Sequence, residues 1–176
     1  MAAAAGEGGI GAELTPGAKV GDTVEFSPAS SALAHEIATR VVESGGAAAF
    51  IDYGHDGNAG LSLRGIRDHA FVDPLSAPGD TDLSVDVDFA ALRQAVGAAG
   101  ARGWGPVTQS EFLQSLGIVA RFEKLLEGAT EEQAARLQTE MRRLLHPDEM
   151  GSIYKVLAVT AEASDAPIGF GGGLGE

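Results

Sequence analysis

Asp52, Tyr53, His55 and Asp56 place two carboxylates, a phenol and an imidazole within five positions of this 176-residue chain. Groups of these types can hold a cationic ligand or a metal ion, or orient a hydrogen-bonding substrate. They follow directly on Ala47-Ala48-Ala49-Phe50-Ile51, a continuous small-apolar run that comes after a helical stretch closed by Gly45-Gly46. Such a run predicts a central parallel strand covered on both faces, with Asp52 ending it. Open α/β sheets hold their ligands beyond the carboxyl ends of their strands, so this is the first place to look for a site. The competing reading is structural: Asp52 caps the next turn and Tyr53 packs.

Other combinations are weaker. His55, Asp56 and His69 could ligate a metal, but no His-x3-His pair on a helix accompanies them, so they read as hydrogen-bonding residues and no metal is expected. Asp80, Asp82, Asp86 and Asp88 invite a calcium loop, yet its glycine and bidentate glutamate positions hold Val85 and Ala91. A solvated strand face and a helix cap explain those acids. A phosphate-cradling glycine turn must lie between a strand and a helix. Gly6 to Gly11 has no strand before it, and Gly169 to Gly175 has no helix after it. His146-Pro147-Asp148 reads as a helix stop.

The elements that must position these side chains follow from periodicity and caps. Lys19 to Phe26 alternates as a short strand, and Ser27 or Ser30 caps a helix whose apolar stripe is Leu33, Ile37 and Val41. Residues Gly57 to Gly79 form a turn-rich excursion anchored by Leu61, Leu63, Ile66, Phe71 and Leu75. Leu83, Val85, Val87 and Phe89 alternate with polar residues as a strand with one buried face. Asp88 then caps a helix through Leu92 and Val96, ended by Gly100. Thr108 with Glu111 and Thr130 with Gln133 have capping-box spacing and open two more helices, the second stopped at His146-Pro147. Tyr154 to Val159 is a final strand. The domain division predicted is a disordered Ala/Gly-rich segment 1–16, a folded unit 17–162 and a loose glycine-rich tail 163–176.

Composition limits the function classes. Twenty-five acids against 12 bases give a net charge of −13, and no basic face is readable, which argues against nucleic acid and fits a cationic partner. Without cysteine there is no disulfide, no thiol nucleophile and no cysteine zinc site. The apolar stretches are too short to span a bilayer. Glu7, Glu13 and Asp22 precede any arginine, so no mitochondrial presequence is visible.

One set of segments carries a family resemblance. Gly45 through Gly57, Leu63-Arg64-Gly65 with His69, Asp73-Pro74-Leu75, Pro78-Gly79, Asp82-Leu83, Val87-Asp88-Phe89, Gly105 through Gln109, Phe112-Leu113, Leu116-Gly117-Ile118, Met150-Gly151 and Tyr154 through Ala158 occur in order. Together they resemble the C-terminal half of the MidA-like protein arginine methyltransferases, the mitochondrial complex I assembly methyltransferases. The resemblance implies an α/β fold, namely the later strands and helices of a partial class I (Rossmann-like) methyltransferase sheet. It also implies S-adenosyl-L-methionine as cofactor, symmetric dimethylation of a protein arginine and a complex I subunit as partner. A mitochondrial location and a possible homo-oligomer go with it. Asp52, Tyr53, His55 and Asp56 would then be acceptor-side catalytic residues. In the family, the glycine-rich turn and the ribose-binding acid precede the matching segments, and nothing before Gly21 resembles them. Cofactor-binding residues are therefore unknown in this chain, and the alternative expectation is a non-catalytic interaction protein derived from that enzyme.

Overall fold

The computed structural model describes residues 2–4, 19, 21, 23–57 and 60–170. Most of the segment expected to be disordered, and the end of the tail, lie outside the described residues. Ala2–Ala4 form β1, paired antiparallel with β2 (Thr23–Glu25). The described part of the tail packs back on the body, with Phe170 5.5 Å from Phe112 between ring centroids.

Ser27 caps α1 (Pro28–Ser44), its hydroxyl accepting from the Ser30 amide at 3.3 Å, with Pro28 at a position that needs no donor. The buried face of α1 is Ala34, Ala38 and Val41, whereas Leu33 is 55% exposed. The expected stripe is thus rotated by one residue, because α1 packs closely on a second helix and small side chains allow the approach. β3 (Ala47–His55) follows. The 57–79 excursion contains β4 (Arg64–Arg67) and β5 (Ala70–Val72), joined by Asp68 and His69, both at positive φ. β6 (Asp82–Ser84) completes this three-stranded antiparallel sheet. Its expected apolar anchors are largely solvent-facing, Leu61, Phe71 and Leu75 among them.

The alternating 83–89 segment divides instead of forming one strand. Leu83 lies exposed in β6, Val87–Asp88 form β7, and Phe89 opens α2 (Phe89–Ala98). Asp88 caps α2 through the Ala90 and Ala91 amides. β8 (Ala101–Thr108) leads into α3 (Gln109–Ser115), and both halves of the Thr108–Glu111 capping box are formed. Gly117, at φ 82°, turns the chain into α4 (Ile118–Leu126), a helix not anticipated from the sequence. The Thr130–Gln133 box opens α5 (Glu131–Leu145), a π-type turn spans Pro147–Gly151, and β9 (Tyr154–Ala161) ends the fold. Among the described residues no helix is long and apolar enough to cross a membrane.

The main sheet has the order β7-β3-β9-β8. β3 is therefore not a wholly parallel strand: it runs antiparallel to β9 from Ala47↔Thr160 to Tyr53↔Tyr154 and parallel to β7 only at Gly54 and His55. Nor is it covered on both faces, since Ile51 is 57% exposed. The opposite face packs on α1 and α2, where Phe89, Leu92, Val96, Leu157 and Val159 make the core, with Ala48 and Phe50 against it. Burying a side chain such as Phe89 contributes about 2–3 kcal/mol.

Gly54 is where β3 and β7 come closest, and a Cβ there would collide with the Val87 carbonyl. Gly54→Ala is expected to lower stability by about 1–3 kcal/mol through overpacking against backbone. Gly97, exposed in α2 with open space where a methyl group would project, gives the opposite expectation. Gly97→Ala should gain about 0.5–1 kcal/mol from helix propensity. Thermal melts of both variants check this, and a neutral Gly54→Ala would contradict the close approach.

Candidate functional site

β3 continues through Asp52 to His55, so Asp52 lies inside the strand instead of ending it. It sits opposite Lys155 in the β9 register, and its Oδ1 accepts from the Tyr53 amide at 2.8 Å. That bond is local, and it matches the capping role in part. Successive strand residues face opposite sides, which puts Tyr53 and His55 together on the face away from the helical core.

Tyr53 is held on three sides. Its ring stands edge-on to Tyr154 at 5.6 Å, and its hydroxyl shares a 2.8 Å hydrogen bond with Ser84. The Arg64 guanidinium lies 5.6 Å from its centroid and pairs with Asp86. A planar cation over an aromatic face and against a carboxylate is the geometry a guanidinium prefers.

His55 Nδ1 is buried and has no hydrogen-bond partner among the described residues. Glu25, at the end of β2, joins the same cluster. Glu25 Oε2 accepts from the Ser62 amide (2.8 Å) and hydroxyl (2.7 Å), and Oε1 accepts from the Leu63 amide (3.0 Å). Ser62 Oγ in turn accepts from the Asp86 amide at 2.9 Å. Burial alone would push the Glu25 carboxyl up. The hydrogen bonds from Ser62 and Leu63, with the charge of His55, outweigh it and hold the carboxyl below its ordinary value.

Asp56 goes elsewhere. It pairs with Arg93 of α2 at 3.0 Å, and Arg93 also donates to the Gly105 carbonyl at 2.9 Å. This staples the tip of β3 to α2 and β8. Of the four candidates, then, Tyr53 and His55 share one polar cluster, Asp52 alternates to the opposite face of β3, and Asp56 is engaged in a separate tie. The sequence reading missed Glu25, Ser62, Ser84 and the Arg64–Asp86 pair. Only the alternation around Glu25 could have flagged it, and nothing in spacing links it to Ser62, 37 positions on. Among the described residues no group of three His, Asp or Glu side chains is placed to hold a metal ion.

Because its folded-state value is depressed, Glu25 contributes its stabilisation fully above the ordinary glutamate pKa, about 4.3. That contribution is lost as pH falls through the lower folded-state value. Glu111, held down chiefly by the Thr108 hydroxyl and amide, behaves likewise. Glu25→Gln is expected to cost about 1 kcal/mol near neutral pH and less in acid, allowing for solvent screening. Melting curves near neutrality and in acid measure this; a gap that stays constant between them would refute it.

A family model described as "Putative S-adenosyl-L-methionine-dependent methyltransferase" matches residues 9–107. Curated relatives include the mitochondrial protein arginine methyltransferase NDUFAF7 of Danio rerio, 37% identical over 136 residues, covering 77% of this chain and 32% of that protein. The Xenopus tropicalis protein of the same name is 38% identical over 81% of this chain and 33% of its own length. The Homo sapiens protein is 37% identical over 78% and 31%. The chain thus spans about a third of the length of the curated relatives it matches. Among solved structures, an uncharacterized protein from Burkholderia thailandensis superposes with a TM-score of 0.80 at 27% identity, over 92% of this chain and 45% of that one. A second solved structure from the same organism, of a likely methyl transferase bound to S-adenosyl-homocysteine, gives 0.73 at 26% identity, over 89% and 42%.

Proposed function

This chain belongs to that S-adenosyl-L-methionine-dependent methyltransferase family, and from this premise we propose that it forms the acceptor side of a protein arginine methyltransferase. The reaction is symmetric dimethylation of an arginine on a mitochondrial complex I subunit. What supports the reading most is how the tip of β3 already treats a guanidinium, with Arg64 laid over Tyr53 and paired to Asp86.

An arginine guanidinium is protonated and a poor nucleophile, so a site for it must fix one nitrogen and offset the charge. Asp52 supplies a carboxylate from the strand itself, one position before Tyr53 and on the other face of β3, Tyr53 the aromatic wall, and His55 a buried nitrogen unpaired among the described residues. Asp56 serves by position, holding the strand tip through Arg93. The S-adenosyl group fits less well. Among the described residues no glycine turn stands between a strand and a helix, so they do not make a pocket for it. That same observation favours the second reading, a non-catalytic interaction protein.

The two readings separate experimentally. Isothermal titration of this chain with S-adenosylmethionine is expected to show no saturable micromolar binding; clear binding would overturn the division of roles. Substituted for the matching third of the Danio rerio enzyme, the chain should support methylation of complex I subunit protein. Asp52→Ala should then lower turnover about 10²-fold with cofactor affinity nearly unchanged, and Asp52→Asn should fall between. Full activity of Asp52→Ala removes the acceptor role, an inactive chimera that still binds cofactor favours the interaction protein, and unfolding of Asp52→Ala would make the residue structural.

A further inference from the structure

We propose, on the acceptor-side reading of β3, that Asp86 is the carboxylate that receives the substrate guanidinium on the Tyr53 face, and that Arg64 holds this seat until a substrate arginine displaces it. The Arg64 guanidinium lies 5.6 Å from the centroid of the Tyr53 ring and pairs with Asp86. Both partners are partly open, their side chains 40% and 28% exposed. A pair this accessible is held weakly enough for a second guanidinium to exchange into it. Asp52 is placed differently. It lies across from Lys155 in the β9 register, so its side of the sheet already carries a cation.

Asp86 is fixed from both directions, whereas the cation it holds is not. Val85 and Asp86 link β6 to β7. Before them, Ser84 shares a 2.8 Å hydrogen bond with the Tyr53 hydroxyl; after them, Val87 pairs with Gly54 of β3. The Asp86 amide donates to Ser62 Oγ at 2.9 Å, and that hydroxyl donates to Glu25 at 2.7 Å. Carboxylate and aromatic wall are thus positioned by supports other than Arg64, as a preorganised site requires. Arg64 is anchored through its backbone in β4, opposite Ser84, and its guanidinium stands at the end of a long rotatable stem. A planar cation presented by another chain fits the same ring and carboxylate, and a lysine ammonium lacks both the plane and the fork. While Arg64 is seated the site is closed, so affinity for an incoming guanidinium falls in proportion to the fraction of molecules left open.

Methylguanidinium, with methylammonium as its lysine-like control, is titrated into the full chain while the Tyr53 and Tyr154 ring resonances are followed. Arg64→Ala is expected to bind methylguanidinium about tenfold or more tightly than the wild type, with no gain for methylammonium. Asp86→Asn in the Arg64→Ala background should lose that gain. Asp82→Asn, which removes the same charge from an exposed position of β6, should keep it. Arg64→Lys retains the ion pair and carries the test where Arg64→Ala does not fold; its gain should be smaller but present, because an ammonium holds the seat less well. Wild-type affinity in a folded Arg64 variant overturns the displacement, and a gain that survives Asp86→Asn overturns Asp86 as the receiver. Binding as stated, together with a chimera that methylates nothing, would support the guanidinium seat and remove the acceptor-side reading.

Discussion

Ala47 to Tyr53 of β3 are zipped antiparallel to Tyr154–Thr160 of β9, joining segments about a hundred residues apart. The ladder inserts β9 between β3 and β8, so that the order of the sheet is complete only once β9 is in place. β9 carries the largest share of the cost and of the return. Val156, Leu157, Ala158 and Val159 are all buried, and Leu157 and Val159 provide the floor on which α1 and α2 rest. Closing so long a loop is entropically unfavourable, and continuous apolar burial along β9 is what offsets it.

The site inherits its shape from this ladder. Where pairing with β9 ends at Tyr53↔Tyr154, the two rings meet edge to face, and beyond them Gly54 lets β7 approach. The strand tip is therefore clamped by backbone on one side and by the Asp56–Arg93–Gly105 tie on the other. On the exposed face Tyr53, held by Tyr154, Ser84 and Arg64, makes an aromatic wall, the buried nitrogen of His55 has no partner among the described residues, and the carboxylates of Glu25 and Asp86 are linked through Ser62 in the same cluster. A cluster of acids around an aromatic ring suits a cation, and the resident Arg64 illustrates the fit. The overall charge of −13 points the same way without locating the site.

Local chemistry was legible in the residues, and long-range pairing was not. Both capping boxes and the Asp88 cap are decided within four residues and formed as read. The apolar run at Ala47 was recognisable as a strand, but its direction relative to its neighbours depends on β9, which no local pattern announces. The β4–β5 hairpin escaped notice because Asp68 and His69 fill a turn that usually signals itself with glycine or asparagine. On α1 the larger residues suggested a buried face through Leu33, while close packing against α2 selected Ala34 and Ala38. For the site, the run from Asp52 to Asp56 gave the right strand tip. It could not show that Asp56 turns to Arg93, or that Glu25 reaches in through Ser62.

Nuclear magnetic resonance of this 17.9 kDa chain, titrated with an arginine-bearing complex I subunit peptide and with its lysine counterpart, addresses the acceptor role at its source. If the tip of β3 receives the substrate, resonances of Tyr53 and His55 shift with the arginine peptide and much less with lysine, since only the planar guanidinium stacks and pairs as Arg64 does. Shifts confined to the α4–α5 hairpin, or equal responses to both peptides, would contradict it.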